Sequence, residues 1–134
     1  MSQSVVTNVA KSKTVKVRAG MLDKLPKIVG MAFGDGAKSG TDYRAPLPTD
    51  TSLQHELLRQ EVDSAVLQDD GISVRYTCEL AKETLGGKEI NELALYDEEG
   101  DLMAIKSFMN KGKDSDMEMG FSVIDKFSDF KITE

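Results

Sequence analysis

Four carboxylates, Asp97, Glu98, Glu99 and Asp101, stand within one short stretch interrupted only by Gly100. Carboxylate oxygens are the ligands of hard cations, so this stretch could in principle hold calcium or magnesium. An EF-hand loop, however, takes about twelve residues with a closing glutamate and flanking helices. Here the flanks carry apolar residues at sheet spacing, with Leu93 and Leu95 on one face and Met103 and Ile105 on one face. Glu89–Ile105 therefore reads as a hairpin: Asp97 and Glu98 suit a type I turn, and Gly100 supplies the positive φ that closes a bulged connection. The carboxylates are then a solvated tip, and no metal is expected.

The remaining reactive side chains are few. His55 is the only histidine and Cys78 the only cysteine. If Ser52–Gln60 is a helix, His55 lies about 200° round from Leu53 and faces away from the apolar stripe, which reads as solvated surface and not as a general base. Cys78 shares a strand face with Val74, Tyr76 and Leu80, which favours a buried, inert thiol over an activated one. Gly34-Asp35-Gly36 lacks the glycine pattern and strand-to-helix setting of a phosphate loop. With no tryptophan in the chain, a sugar-stacking platform is poorly supported. The expectation is a protein with no catalytic residue and no cofactor, and not an enzyme.

Composition fits that reading. The chain has 134 residues, 40% hydrophobic and 30% charged, which suits one globular domain with its own core. No apolar run approaches the roughly 20 residues of a membrane helix, and no signal peptide is visible, so neither membrane nor export is expected. A lone cysteine suits synthesis in a reducing cytoplasm. Charge is uneven: up to Lys27 the chain carries Lys11, Lys13, Lys16, Arg18, Lys24 and Lys27 against Asp23 alone, a net of +5, which leaves −11 for the rest given the total of −6. Residues 1–27 thus read as a basic arm on an acidic, β-rich body, 28–134. Such an arm docks onto a partner or lies over its own acidic domain, and the second is the simpler reading. No aromatic residue is interleaved with the lysines, so nucleic acid is not an expected partner.

Elements follow from periodicity. Val6, Val9 and Ala10 suit a helical stripe, while Val15, Val17 and Ala19 alternate like a strand; 5–19 is assigned to helix with strand as the standing alternative. Lys27–Phe33 is a short apolar run ending at glycine, hence a buried strand. Residues 37–50, with Pro46 and Pro48, read as a loop. Thr51 and Gln54 could form a capping box for the helix Ser52–Gln60, with Leu53, Leu57 and Leu58 on its buried side. Val62–Leu67 could be a strand, followed by a turn at Asp69-Asp70-Gly71. Ile72, Val74, Tyr76, Cys78 and Leu80 alternate with polar residues, the habit of a half-buried antiparallel strand. Asn110–Asp116 reads as a loop, and Met117, Met119, Phe121 and Val123 give a last strand. The expected fold is α+β: mainly antiparallel sheet or sandwich with one or two short helices.

Several of these pieces, in order, resemble the N-terminal domain of bacteriophage tail-collar fibre proteins. They are Thr7-Asn8, then the apolar strand Ile28–Phe33 ending in Gly34-Asp35-Gly36. Next comes the proline–threonine entry Pro48–Arg59 with its Leu-x-x-Glu pattern, Leu53 to Glu56. Last is the hairpin Ile90–Leu102, similar to the family's I-x-E-I-x-L-F/Y-D-E-D-G-D-L. The resemblance spans most of the chain. It implies a structural protein of the virion tail, made in the bacterial host cytoplasm, that attaches or assembles tail fibre at the baseplate or collar, with other tail or baseplate proteins as partners and a homotrimer as its assembly. The shaft and receptor-binding tip of larger fibres have no counterpart here, so host-receptor recognition is not expected. The surfaces expected to meet partners are the tip (Asp97, Glu98, Glu99, Asp101) and the basic arm (Lys11, Lys13, Lys16, Arg18). The alternative is a free-standing β-rich module that binds carbohydrate or a small ligand.

Overall fold

The computed structural model describes residues 2–40 and 42–126. In chain order its elements are β1 (Ser2–Val6), α1 (Asn8–Arg18), β2 (Ile28–Gly34), β3 (Lys38–Ser39), β4 (Asp42–Tyr43), β5 (Glu56–Glu61), β6 (Ser64–Leu67), β7 (Ser73–Leu80), β8 (Glu89–Asp97), β9 (Leu102–Gly112) and β10 (Met119–Lys126). The architecture is α+β and mainly antiparallel β. A five-stranded sheet, β1-β9-β8-β2-β5, packs against a three-stranded one, β10-β7-β6, and β3-β4 form a small ribbon. No helix among the described residues is long and apolar enough to cross a membrane.

The two-residue period of a strand divides the core in two. On the inner face of the large sheet, Phe33 stands opposite Leu93 and Met31 opposite Leu95. These four meet Cys78, Leu80 and Phe121 of the small sheet, with the Phe33 and Phe121 rings tilted at a centroid distance of 4.9 Å. On the outer face Val5, Ile105, Ala94 and Ala32 stand in one row across four strands. Leu53, from the loop before β5, covers that row. β2 and β8 are therefore buried on both faces, which is why they read as apolar runs and not as alternations.

Residues 2–19 resolve the helix–strand ambiguity by containing both. β1 pairs with β9 from Ser2 opposite Phe108 to Val6 opposite Ala104. Thr7 then caps α1: its hydroxyl accepts from the Ala10 N–H at 3.2 Å and donates to the Leu102 carbonyl at 2.7 Å. Val15 and Val17 continue the helix, and Lys16 and Arg18 in its last turn oppose the negative end of the helix dipole. The segment read as an arm thus contributes a strand to the main sheet. Residues 127–134, the end of the expected domain 1–134, lie outside the described residues.

The expected helix Ser52–Gln60 is not formed. Glu56–Glu61 is instead strand β5, paired with β2 from Gly34 opposite Glu56 to Gly30 opposite Glu61. Local propensity favours a helix in Glu-Leu-Leu-Arg-Gln-Glu, but it amounts to only a few tenths of a kcal/mol per residue. Leaving the outer edge of the buried β2 without hydrogen-bond partners would cost more. The proposed capping box fails for a related reason, since the Gln54 N–H is bonded to Glu92. Smaller differences follow the same logic of pairing. Asn110–Gly112 extends β9 where a loop was expected, and residues 37–50 include β3 and β4. Ile72 precedes β7 in the turn and is exposed.

Candidate functional site

The hairpin β8–β9 turns as its sequence requires: the Gly100 N–H bonds the Asp97 carbonyl at 2.9 Å, and Gly100 takes φ 90°. What local sequence does not show is where the tip's charges go. Lys13, on α1, extends its ammonium to Asp97 Oδ2 at 2.6 Å, Glu99 Oε1 at 2.7 Å and Asp101 Oδ2 at 2.7 Å. The other Asp97 oxygen accepts the N–H groups of Glu99 and Asp101, at 3.0 and 3.1 Å. The Asp97 side chain is 0% exposed, whereas Glu99 and Asp101 keep 59% and 51% of theirs in solvent.

One carboxylate oxygen from each of Asp97, Glu99 and Asp101 lies within 4.8 Å of the others, an array that attracts a cation. The Lys13 ammonium lies within hydrogen-bond distance of all three. Burial pulls its pKa down, but the hydrogen bonds it donates to Asp101, Asp97 and Glu99, with the Asp97 charge, more than reverse this and leave it well above the ordinary lysine value. Glu98 turns elsewhere: its N–H donates to the Lys27 carbonyl at 3.0 Å, and its carboxylate accepts the Lys27 N–H at 3.3 Å. On the other flank Arg59 donates to the Gly100 carbonyl at 2.7 Å and lies over the Tyr96 ring, 5.0 Å from its centroid. Of the eight charged residues expected to form interaction surfaces, the structure gathers Lys13, Asp97, Glu99 and Asp101 into one cluster. Among the described residues, no ion pair ties Lys11, Lys16 or Arg18 to it.

A model of the phage tail-collar fibre protein N-terminal domain matches residues 1–123. The chain belongs to that family. No curated protein and no solved structure matches it. The family makes this a structural component of a phage tail, located in the virion and associated with other tail proteins.

At the opposite end of the hairpin, the tail-collar fold holds a second buried carboxylate that sequence reasoning passed over. Glu92 is 1% exposed. It accepts the N–H groups of Gly36, Gln54 and His55, all at 2.9 Å. Beside it Asn91 accepts from the Ala37 N–H at 3.0 Å and donates to the Asp35 carbonyl at 3.1 Å. Together they pin the loops after β2 and before β5 onto the end of the sheet. Gly34-Asp35-Gly36, unconvincing as a phosphate loop, does cradle an anion, but the anion is the protein's own. A Cβ on Gly34 would fall 2.5 Å from Glu92 Oε2, and one on Gly36 would fall 2.5 Å from the His55 nitrogen. The legible signal was Asn91-Glu92, a polar pair inside the otherwise apolar run Ile90–Tyr96.

The two candidate reactive groups sit as follows. His55 is in the loop preceding β5, not on a helix; its side chain is 68% exposed, with Nδ1 2.5 Å from Asp35 Oδ1. Cys78 is 1% exposed, and burial, with the nearby Asp63 charge, pushes its thiol up to about 11. Nucleophilicity needs the thiolate. Native protein at pH 8 should therefore resist iodoacetamide, with alkylation complete only after addition of denaturant. Rapid labelling of the native protein, followed by mass spectrometry, would contradict this placement.

Proposed function

We propose that this protein is a non-catalytic tail component that attaches or assembles fibre at the baseplate or collar, and that it works as a homotrimer. The observation that carries the reading is the family match over 1–123, on a scaffold whose buried carboxylates, Asp97 and Glu92, are engaged in holding turns and loops. In this reading Lys13, Asp97 and Glu98 stiffen the tip, while the charges that remain in solvent orient partners. Those are Glu99 and Asp101 at the tip and Lys16 and Arg18 on α1, with the half-exposed Lys11 beside them. Rim charges of this kind set register and approach more than affinity. Deletion of the coding sequence from the phage, followed by negative-stain electron microscopy, tests the proposal. Particles with complete tail tubes but no attached fibres are expected. Normally fibred particles would end it.

A further inference from the structure

The sandwich is open at the end where β10 finishes. Lys126 closes that strand opposite Ser73, and its ammonium lies 3.9 Å from Asp70 in the turn between β6 and β7. A cavity of about 830 Å³ lies at this end. Its lining is largely apolar, with Leu25 and Pro26 before β2, Ile28 at its start, Leu67 and Ile72 about the β6–β7 turn, and Val74 of β7. Leu25, Leu67 and Ile72 keep 43%, 65% and 52% of their surface in solvent. One such residue is ordinary, whereas three around one cavity mark a face that lacks its cover.

The next residues of the chain fit as that cover. Along β10 exposure alternates: Phe121, Val123 and Asp125 are buried or half-buried, while Ser122, Ile124 and Lys126 are exposed. Continued by one residue, the period of two puts position 127 on the side of Phe121 and Val123, one step on from Ser73 and hence opposite Ile72. The residue there is phenylalanine, and the sequence runs on as Phe127-Ser128-Asp129-Phe130-Lys131-Ile132-Thr133-Glu134. Eight residues reach at most about 28 Å, and a cavity of this volume is on the order of 10 Å across, so Phe130 can also return to it. Location selects this occupant. Asp125 and Lys126 already line the cavity, so the segment starts at the rim with no linker. A short tether holds it there at an effective concentration in the millimolar range, which a second copy or another protein has to overcome.

We propose that residues 127–134 form a strap that folds from the end of β10 over this cavity, seating Phe127 and Phe130 against Leu25, Ile72 and Val74. The strap ties the small sheet to the segment between α1 and β2 across the open end. A buried phenylalanine removes about 150–250 Å² from water, and the exposed parts of Leu25 and Ile72 are covered with it. The proposal stands apart from the role in the tail, since it assigns an occupant from the chain itself and needs no partner.

The test uses the full chain with its methyl groups and phenylalanine rings isotope-labelled. Nuclear Overhauser contacts from the Phe127 and Phe130 rings to methyl groups of Leu25, Ile72 and Val74 are expected. Absence of these contacts, or contacts of the rings with other surfaces only, would overturn the proposal. So would contacts that arise only between labelled and unlabelled copies, because the segment would then cover a neighbour. A chain ending at Lys126 should differ from the full chain in its amide signals around Ile28 and Ile72, and should melt at least about 5 °C lower. Where truncation prevents folding, Phe127→Ser with Phe130→Ser in the full chain carries the same two readouts. Signal changes confined to other elements, or a melting temperature within about 1 °C of the full chain's, would equally remove the strap.

Discussion

Glu92→Ala should destabilise the fold by about 3 kcal/mol. A fully buried donor left without an acceptor costs about 1–3 kcal/mol, and the substitution takes the acceptor from three part-buried N–H groups, those of Gly36, Gln54 and His55. Since domains of this size are stable by about 5–15 kcal/mol in total, the variant should melt far below the wild type or fail to fold. Glu92→Gln keeps the shape but turns one acceptor into a donor, so it should fall between the two. Urea denaturation of the three proteins decides the matter. A Glu92→Ala loss below about 1 kcal/mol would mean that the loops are held by something other than this carboxylate.

Lys13→Met should cost about 3 kcal/mol, the usual scale for stripping one partner from a buried ion pair. Exposed pairs contribute about 0–1 kcal/mol, so Glu99 and Asp101 supply little of this, and the loss arises mainly at the fully buried Asp97. The pH dependence has a definite sign. The ammonium's folded pKa lies above its unfolded value of 10.5, so the folded state holds the proton more tightly. Its contribution is fully present below about pH 10.5 and declines as the pH rises through the folded pKa. The gap between wild type and Lys13→Met should therefore be flat from neutral pH to about 10, then narrow. A gap under about 1 kcal/mol at pH 8, or one that widens with alkali, would show that Lys13 does not anchor the tip.

These two residues also show how far the sequence could be read. The hairpin Glu89–Ile105, the central strand ending at Gly34 and the alternation along β7 were legible because each signal lies within a few residues. A glycine at a positive φ, a period of two and an unbroken apolar run need no knowledge of the rest of the chain. Met119, Phe121 and Val123 announced β10 in the same way, but Met117, expected in the same strand, precedes it and is exposed. Glu56–Glu61 misled because its composition favours a helix while its backbone is claimed by β2, and no local pattern reports the needs of a distant strand edge. The basic and acidic clusters were both visible, yet nothing in their spacing said that one lysine, 84 positions from Asp97, would join them.

By itself, then, the amino-acid sequence determined the class of fold, most strands and the acidic turn, all properties of composition and short-range periodicity, while its ordered motifs carried the resemblance to the tail-collar family. Tertiary structure alone decided that Glu56–Glu61 is a strand, that Lys13 bridges three carboxylates of the tip, and that Glu92 fills a backbone cradle. Each of those depends on hydrogen bonds, charges or surfaces meeting across tens of residues. Such meetings follow from satisfying buried polar groups throughout the whole chain, and no window of sequence contains both partners.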